Sequence, residues 1–108
     1  MPEQAVLVAE RTLRVLKRTV PAALPGVVFL SGGQSDVSAT AHLDAMNRMG
    51  APWPLTFSYS RALQNPALKT WRGNAANYAA AQQAFAHRAR MNGLAAEGKW
   101  TQGHEKQA

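Results

Sequence analysis

Two short apolar stretches, separated by one helix-length segment, limit the folds that this chain of 108 residues can adopt. The first, GVVFL at positions 26–30, is rich in β-branched and aromatic residues and is typical of a strand buried on both faces. The second, PLTFSY, occupies positions 54–59. Strands joined by a helix of this length run parallel. Because two parallel strands alone make a weak sheet, we expect a piece of a larger α/β structure.

Helical patterns account for most of the remaining chain, with apolar residues at three- and four-residue steps or turn residues at the ends. The predicted helices cover positions 3–20, 36–49, two short stretches that begin after Ser60 and at Asn65-Pro66, and about 75–97. Ser35 or Asp36 is the predicted N-cap of the second helix, and Gly50 ends it. The order is α-β-α-β-α-α. We expect residues 1–100 to form one unit and the polar tail 101–108 to fray.

The charges are placed unevenly, with a formal net charge of +6. All six acidic residues lie outside positions 45–96. Six basic residues lie inside that window: Arg48, Arg61, Lys69, Arg72, Arg88 and Arg90. Such a field attracts anions, whether phosphorylated metabolites, nucleic acid or an acidic partner. A solvated helix surface explains the same pattern equally well.

Several classes of protein are excluded or disfavoured by composition. The chain has no cysteine, which excludes disulfides and thiolate metal sites and fits a reducing compartment. No apolar run approaches the roughly 18 residues of a membrane span. The beginning MPEQ lacks the features of a secretory signal. We therefore expect a cytoplasmic protein that does not associate with membranes.

Both predicted strands end in residues that suit a phosphate group. Ser31, Gly32 and Gly33 follow the first strand, and Ser60 and Arg61 follow the second. The carboxyl ends of parallel strands lie at the same edge of a sheet, so these two groups should be neighbours. Without a side chain, glycine lets backbone N–H groups approach a ligand closely, and the N-terminus of a helix favours a bound anion. The planar guanidinium of arginine can donate two parallel hydrogen bonds to phosphate oxygens. A plain turn also explains Ser-Gly-Gly alone, but the pair of strand ends favours a phosphate site.

Residues for catalysis are scarce by comparison. The three histidines, His42, His87 and His104, are far apart, and none has a carboxylate at metal-ligand spacing. We interpret the first two as helix-surface or helix-packing residues. No predicted strand carries Lys, Asp or Glu, and the three tryptophans are most simply packing residues. We expect no catalytic residue, no metal site and no cofactor in this chain, and we consider nucleic-acid binding an unfavoured alternative.

Three long stretches resemble class I fructose-bisphosphate aldolase: LKRTVPAALPGVVFLSGGQSDVSATAHLDAMN, PWPLTFSYSRALQNPALKTWRGN and AAQQAFAHRARMNGLAAEGKW. Together they cover about residues 3–100 and correspond to the C-terminal third of that family. The resemblance implies a fragment of a (β/α)8 TIM barrel, in which positions 27–31 are the seventh strand and 55–59 the eighth. It also implies a lyase of glycolysis and gluconeogenesis, which cleaves fructose 1,6-bisphosphate to dihydroxyacetone phosphate and glyceraldehyde 3-phosphate.

The resemblance assigns roles to the strand ends. The family binds the C1 phosphate of its substrate through the loops after these two strands, which correspond here to Leu30, Ser31, Gly32, Ser60 and Arg61. Leu30 would contribute through its backbone, and Arg61 would be the phosphate-binding arginine. Ser60 stands where many relatives have glycine, and its backbone N–H remains available.

The sequence also departs from the family pattern. The Schiff-base lysine of class I aldolases belongs to the sixth strand, upstream of the matched region, and the other catalytic lysines and carboxylates have no counterpart here. The tyrosine that ends many relatives is also without a counterpart. We therefore expect the isolated chain to be inactive and to need the remainder of the barrel or self-association through its open strand edges. The alternatives are a subunit of a split enzyme and a module that binds phosphate esters.

Overall fold

The structure is a computed structural model that describes residues 2–30, 34–58 and 61–106. It contains α1 (Pro2–Thr19), β1 (Val27–Leu30), α2 (Asp36–Met49), β2 (Leu55–Ser58), α3 (Arg61–Trp71) and α4 (Tyr78–Ala96). A 3-10 helix, Ala75–Asn77, precedes α4, and a second one, Gln102–Lys106, follows it. The predicted α/β fragment with an α-β-α-β-α-α order is confirmed. The division into residues 1–100 and a tail stays a prediction.

The two strands pair in parallel and in register, from Val27 beside Leu55 to Leu30 beside Ser58. On the face that meets the helices, the rings of Phe29 and Phe57 pack edge to face with centroids 5.8 Å apart. Cross-strand aromatic pairs of this kind stabilise the pairing register.

The opposite face of the sheet is open. The side chains of Val28 and Leu30 on this face are 62% and 81% exposed, so the prediction that the first strand is buried on both faces is wrong for the described residues. The reason is that the helix-packed core meets the face that carries Phe29 and Phe57, and no described element packs on the other.

The core lies between that covered face and the helices. It is built from small and branched residues of α1, α2 and α4 together with two tryptophans that follow helices. Its fully or nearly fully buried members include Ala9, Leu13, Ala39, Leu43, Met46, Trp53, Met91, Ala95 and Trp100. The small side chains of α4 permit the close packing against α2 and α3 that its alanine content predicts.

The ends of α2 follow the sequence signals. Ser35 is the N-cap, and its hydroxyl accepts a hydrogen bond from the Ser38 N–H at 3.1 Å. Gly50 follows the last turn with a φ of +83°, a conformation that favours glycine.

The segment after the second strand differs from the prediction. Asn65-Pro66 does not begin a new helix, because α3 runs without interruption from Arg61 to Trp71 with Pro66 inside it. The proline lacks the N–H that would bond one turn back. Packing of α3 along α4, with Ala62 buried in the core, stabilises the helix across that gap.

The tail also differs from the prediction that it frays. Residues Gln102–Lys106 form a 3-10 helix, and the Glu105 carboxylate is bonded to the guanidinium of Arg88 in α4. The polar composition of the tail predicted fraying, because the sequence alone does not show that the Glu105 carboxylate meets the buried guanidinium of Arg88.

We expect Leu43→Ala to lower the free energy of unfolding by about 2–5 kcal/mol, because Leu43 is completely buried and its removal leaves a cavity. Urea denaturation followed by circular dichroism measures the change. The matched control is Leu68→Ala, another leucine in a helix whose side chain is 53% exposed. Equal losses for the two variants would contradict the core described above.

Candidate phosphate-binding site

The strand pairing determines which residues meet at the candidate site. Because Leu30 lies beside Ser58, the chain leaves β1 and β2 at the same edge of the sheet. Helix α2 begins at Asp36, after the first exit, and α3 begins at Arg61, after the second. This edge is therefore the place where both helices start, as an α/β phosphate site requires.

Two of the five predicted phosphate-binding residues are described. Leu30 is the last residue of β1 and is 81% exposed, and Arg61 is the exposed first residue of α3. Ser31, Gly32 and Ser60 lie outside the described residues, so their contribution stays a prediction. Among the described residues, no carboxylate lies within ion-pair distance of Arg61. Its guanidinium is therefore not neutralised by the part of the chain that the structure describes.

The electrostatics of this edge come from both helices. The Ser35 cap satisfies the N–H of Ser38, and the remaining free N–H groups of the first turn give α2 a positive end. Asp36 lies in the same turn and opposes that field with a negative charge. Arg61 therefore supplies the one full positive charge that the described residues place at the start of either helix.

Gln34 and His42 form a contact that the sequence did not predict. The Gln34 Oε1 lies 2.6 Å from the His42 Nδ1, so a neutral ring protonated on Nδ1 donates to the amide oxygen. Partial burial lowers the pKa of His42 and favours this neutral form. His42 is half-buried on α2, and its interpretation as a helix-surface or helix-packing residue stays a prediction. Gln34 precedes α2 and His42 lies eight residues later within it, and no sequence pattern marks a pair with that spacing.

The basic window is less positive than its composition predicts. Arg48 Nε lies 2.6 Å from the Asp44 carboxylate, and Arg88 is bonded to Glu105. Both partners lie outside positions 45–96, which is why a count along the sequence left the two arginines unopposed. The anion-attracting charge of the window rests on the other four residues: Arg61, Lys69, Arg72 and Arg90.

Two further properties of the described residues bear on function. They contain no group of three or more His, Asp or Glu side chains close enough to hold a metal ion. Among the same residues, no helix is both long enough and apolar enough to cross a membrane.

Comparison with known proteins identifies the family. The model of class-I fructose-bisphosphate aldolase matches residues 2–108. The chain belongs to this family. It is 60% identical over 95 residues to a probable fructose-bisphosphate aldolase class 1 of Xanthomonas campestris, covering 86% of this chain and 28% of the relative. It is 57% identical over 93 residues to the chloroplastic fructose-bisphosphate aldolase 2 of Pisum sativum, covering 86% of this chain and 27% of that protein.

A solved structure extends the likeness to the fold. Fructose-bisphosphate aldolase of Plasmodium falciparum, solved in complex with TRAP and a small molecule inhibitor, matches with a TM-score of 0.85 and 51% identity. The match covers 90% of this chain and 28% of that chain. The chain thus spans less than a third of the relatives that it matches. Assignment to a fragment of a TIM barrel of this family is confirmed.

We expect the stability of the chain to fall as the pH falls below the usual histidine pKa of about 6.5, because the buried form of His42 is neutral. The direction follows from linkage. Because the pKa of His42 is lower in the folded state, the unfolded state takes up the proton at a higher pH, and acidification therefore favours unfolding. His42→Gln should flatten this part of the pH profile of urea denaturation, and His104→Gln is the control for removal of a histidine. An unchanged slope in His42→Gln would contradict the assignment.

Proposed function

We propose that this chain supplies the C1-phosphate-binding part of a class I fructose-bisphosphate aldolase, a lyase that cleaves fructose 1,6-bisphosphate to dihydroxyacetone phosphate and glyceraldehyde 3-phosphate. Membership of the family supports the reaction. The observation that carries the proposal for the site is the parallel register of β1 and β2, which brings the starts of α2 and α3 to one edge of the sheet.

Arg61 is the residue on which the proposed site depends most. Its position at the start of α3 and the absence of a described carboxylate partner leave its guanidinium available for two phosphate oxygens. Backbone N–H groups of Ser31, Gly32 and Ser60, the Ser31 hydroxyl and the backbone of Leu30 complete the proposed set. The free N–H groups at the start of α2 add hydrogen-bond donors for the phosphate, while Asp36 in the same turn reduces the positive field of that helix end.

The reacting groups of the proposed reaction come from other parts of the barrel. A Schiff base requires an amine whose pKa is lowered inside the site, usually by burial or a neighbouring cation. No described residue of β1 or β2 is a lysine. Lys17 and Lys69 lie on α1 and α3, and Lys99 and Lys106 follow α4. The role of this chain in catalysis is therefore to bind and orient one phosphate.

The partner of the chain in this proposal is the remainder of the barrel, supplied either in the same polypeptide or as a second chain. The exposed side chains of Val28 and Leu30 support that inference, because they form an apolar sheet face without a cover among the described residues. The absence of cysteine supports a location in the cytoplasm.

A graft into a complete barrel tests the role of Arg61. The chain replaces the corresponding part of the 60% identical Xanthomonas relative, and steady-state kinetics are measured with fructose 1,6-bisphosphate. We expect Arg61→Ala to raise KM by about 10- to 100-fold, the ratio expected for a lost charged hydrogen bond. Arg61→Lys keeps the positive charge but loses the planar pair of donors, so its KM should lie between the KM of the unmodified graft and that of Arg61→Ala. Arg90→Ala, at an exposed arginine of α4, is the control; an equal effect there would contradict the proposal.

We expect the chain of 108 residues on its own to form no covalent adduct with dihydroxyacetone phosphate when borohydride is added. Intact-mass spectrometry measures the adduct, with the grafted barrel as the positive control. A stoichiometric lysine adduct on the isolated chain would contradict the assignment of the reacting groups to other strands. Activity that appears only on mixing with a second polypeptide carrying the other strands would identify a split enzyme.

A further inference from the structure

The carboxylate of Glu105 is surrounded by hydrogen-bond donors from two parts of the chain. Arg88 Nη1 donates to Oε1 at 3.0 Å and Arg88 Nη2 donates to Oε2 at 2.5 Å, so the guanidinium grips both oxygens. Trp100 Nε1 donates to Oε2 at 2.8 Å, and His87 Nε2 lies 3.4 Å from Oε1. The donors therefore converge on a single carboxylate, as they do in a binding site for an anion.

The donors of this cluster are buried in their own right. Arg88 and Trp100 are only 4% and 6% exposed. Arg88 Nη2 also donates to the Thr40 hydroxyl of α2 at 3.1 Å, and Thr40 in turn donates to Asn92 Oδ1 at 2.6 Å. A buried guanidinium without an anion is strongly destabilising. The site is thus built into the contact between α2 and α4 and requires a carboxylate.

We propose that Arg88, Trp100 and His87 form a carboxylate-binding cradle, that Glu105 is its intramolecular ligand, and that this contact latches the 3-10 helix Gln102–Lys106 onto α4. Glu105 is part of that helix, whereas Arg88 lies near the middle of α4. When Glu105 leaves the cradle, the site can accept another carboxylate from solution. This proposal does not depend on aldolase activity.

The latch has a fixed hinge at Trp100. The Trp100 N–H donates to Asp44 Oδ1 at 2.9 Å, and Arg48 Nη2 donates to the Trp100 carbonyl at 2.7 Å. Asp44 and Arg48 also pair with each other, so the backbone of Trp100 is held to α2 independently of Glu105. Loss of the Glu105 contact therefore releases the chain beyond Trp100 and leaves the indole in the core.

The charges that face Glu105 determine how pH acts on the latch. Partial burial raises the pKa of Glu105, but hydrogen bonds from Arg88 and Trp100 and the charge of Arg88 outweigh this, and the net pKa is lowered. The latch is therefore complete above the usual glutamate pKa of about 4.3 and weakens as the pH falls through the lower, folded pKa. His87 is the other titratable side chain of α4 that faces the carboxylate, with Nε2 at 3.4 Å from Oε1. His104 and Lys106 are the other titratable groups on the 3-10 helix itself.

Amide hydrogen exchange and the Trp100 indole N–H resonance of the intact chain test the latch. We expect Glu105→Ala to speed exchange at residues 102–106 by about 10- to 100-fold, the ratio expected for a lost hydrogen bond to a charged group. The indole resonance should shift at the same time. The matched control is Glu97→Ala, because the Glu97 and Lys99 side chains are 62% and 70% exposed and their charged atoms lie 3.5 Å apart. Equal exchange in the two variants would overturn the proposal.

Chemical rescue distinguishes a carboxylate cradle from a contact that only packs. Sodium acetate added to Glu105→Ala should return the Trp100 indole resonance towards its original position in a saturable manner, whereas acetamide, which has the same shape without charge, should not. Rescue by both compounds or by neither would overturn the cradle.

If Glu105→Ala does not fold, Glu105→Gln keeps the side-chain volume and is measured by the same Trp100 indole resonance. An acid titration of the unmodified chain must then move the indole resonance and the exchange rates together, and independent changes would contradict the latch.

Discussion

The parallel pairing of β1 with β2 is the constraint on which the rest of the structure depends. It places Leu30 beside Ser58, so both strands release the chain at the same edge and both following helices start there. A shift of one strand by one residue would place Phe29 and Phe57 on opposite faces of the sheet and break the aromatic contact that fixes the register. The position of Arg61 relative to the start of α2 therefore follows from packing on the covered face.

Polar side chains join the helices to that pair of strands. The Asn47 Nδ2 atom lies within hydrogen-bond distance of the carbonyl oxygens of Leu43, Leu55 and Ala95, at 3.2, 3.2 and 3.0 Å. One side chain thus connects α2, β2 and α4. The Arg88 cluster joins α2 to α4 at a second point. Together these contacts hold α2, and with it the helix end at the candidate site, in a fixed direction.

The sequence predicts those features that depend on neighbouring residues and misses those that depend on distant ones. The cap of α2 could be narrowed to Ser35 or Asp36 because capping is local, and two apolar runs separated by a helix predicted parallel strands. The continuity of α3 through Pro66 could not be predicted, because packing against α4 determines it. The pairing of Arg88 with Glu105 spans 17 residues, and no periodicity marks it. Within the candidate site, the sequence predicted where the two strands end, but it did not predict the contact between Gln34 and His42.

The open face of the sheet links the fold to the proposed chemistry. Helices cover the face that carries Phe29 and Phe57, whereas Val28 and Leu30 project from the other face. Parallel strands are stable when both faces are covered, and in a closed barrel the second face is covered by side chains from the other strands. In the proposed reaction, the amine that forms the Schiff base also belongs to one of those other strands. The closure that would bury Val28 would also bring the reacting groups to the phosphate that we propose Arg61 binds, so the stability of this sheet and the assembly of the proposed site depend on the same closure.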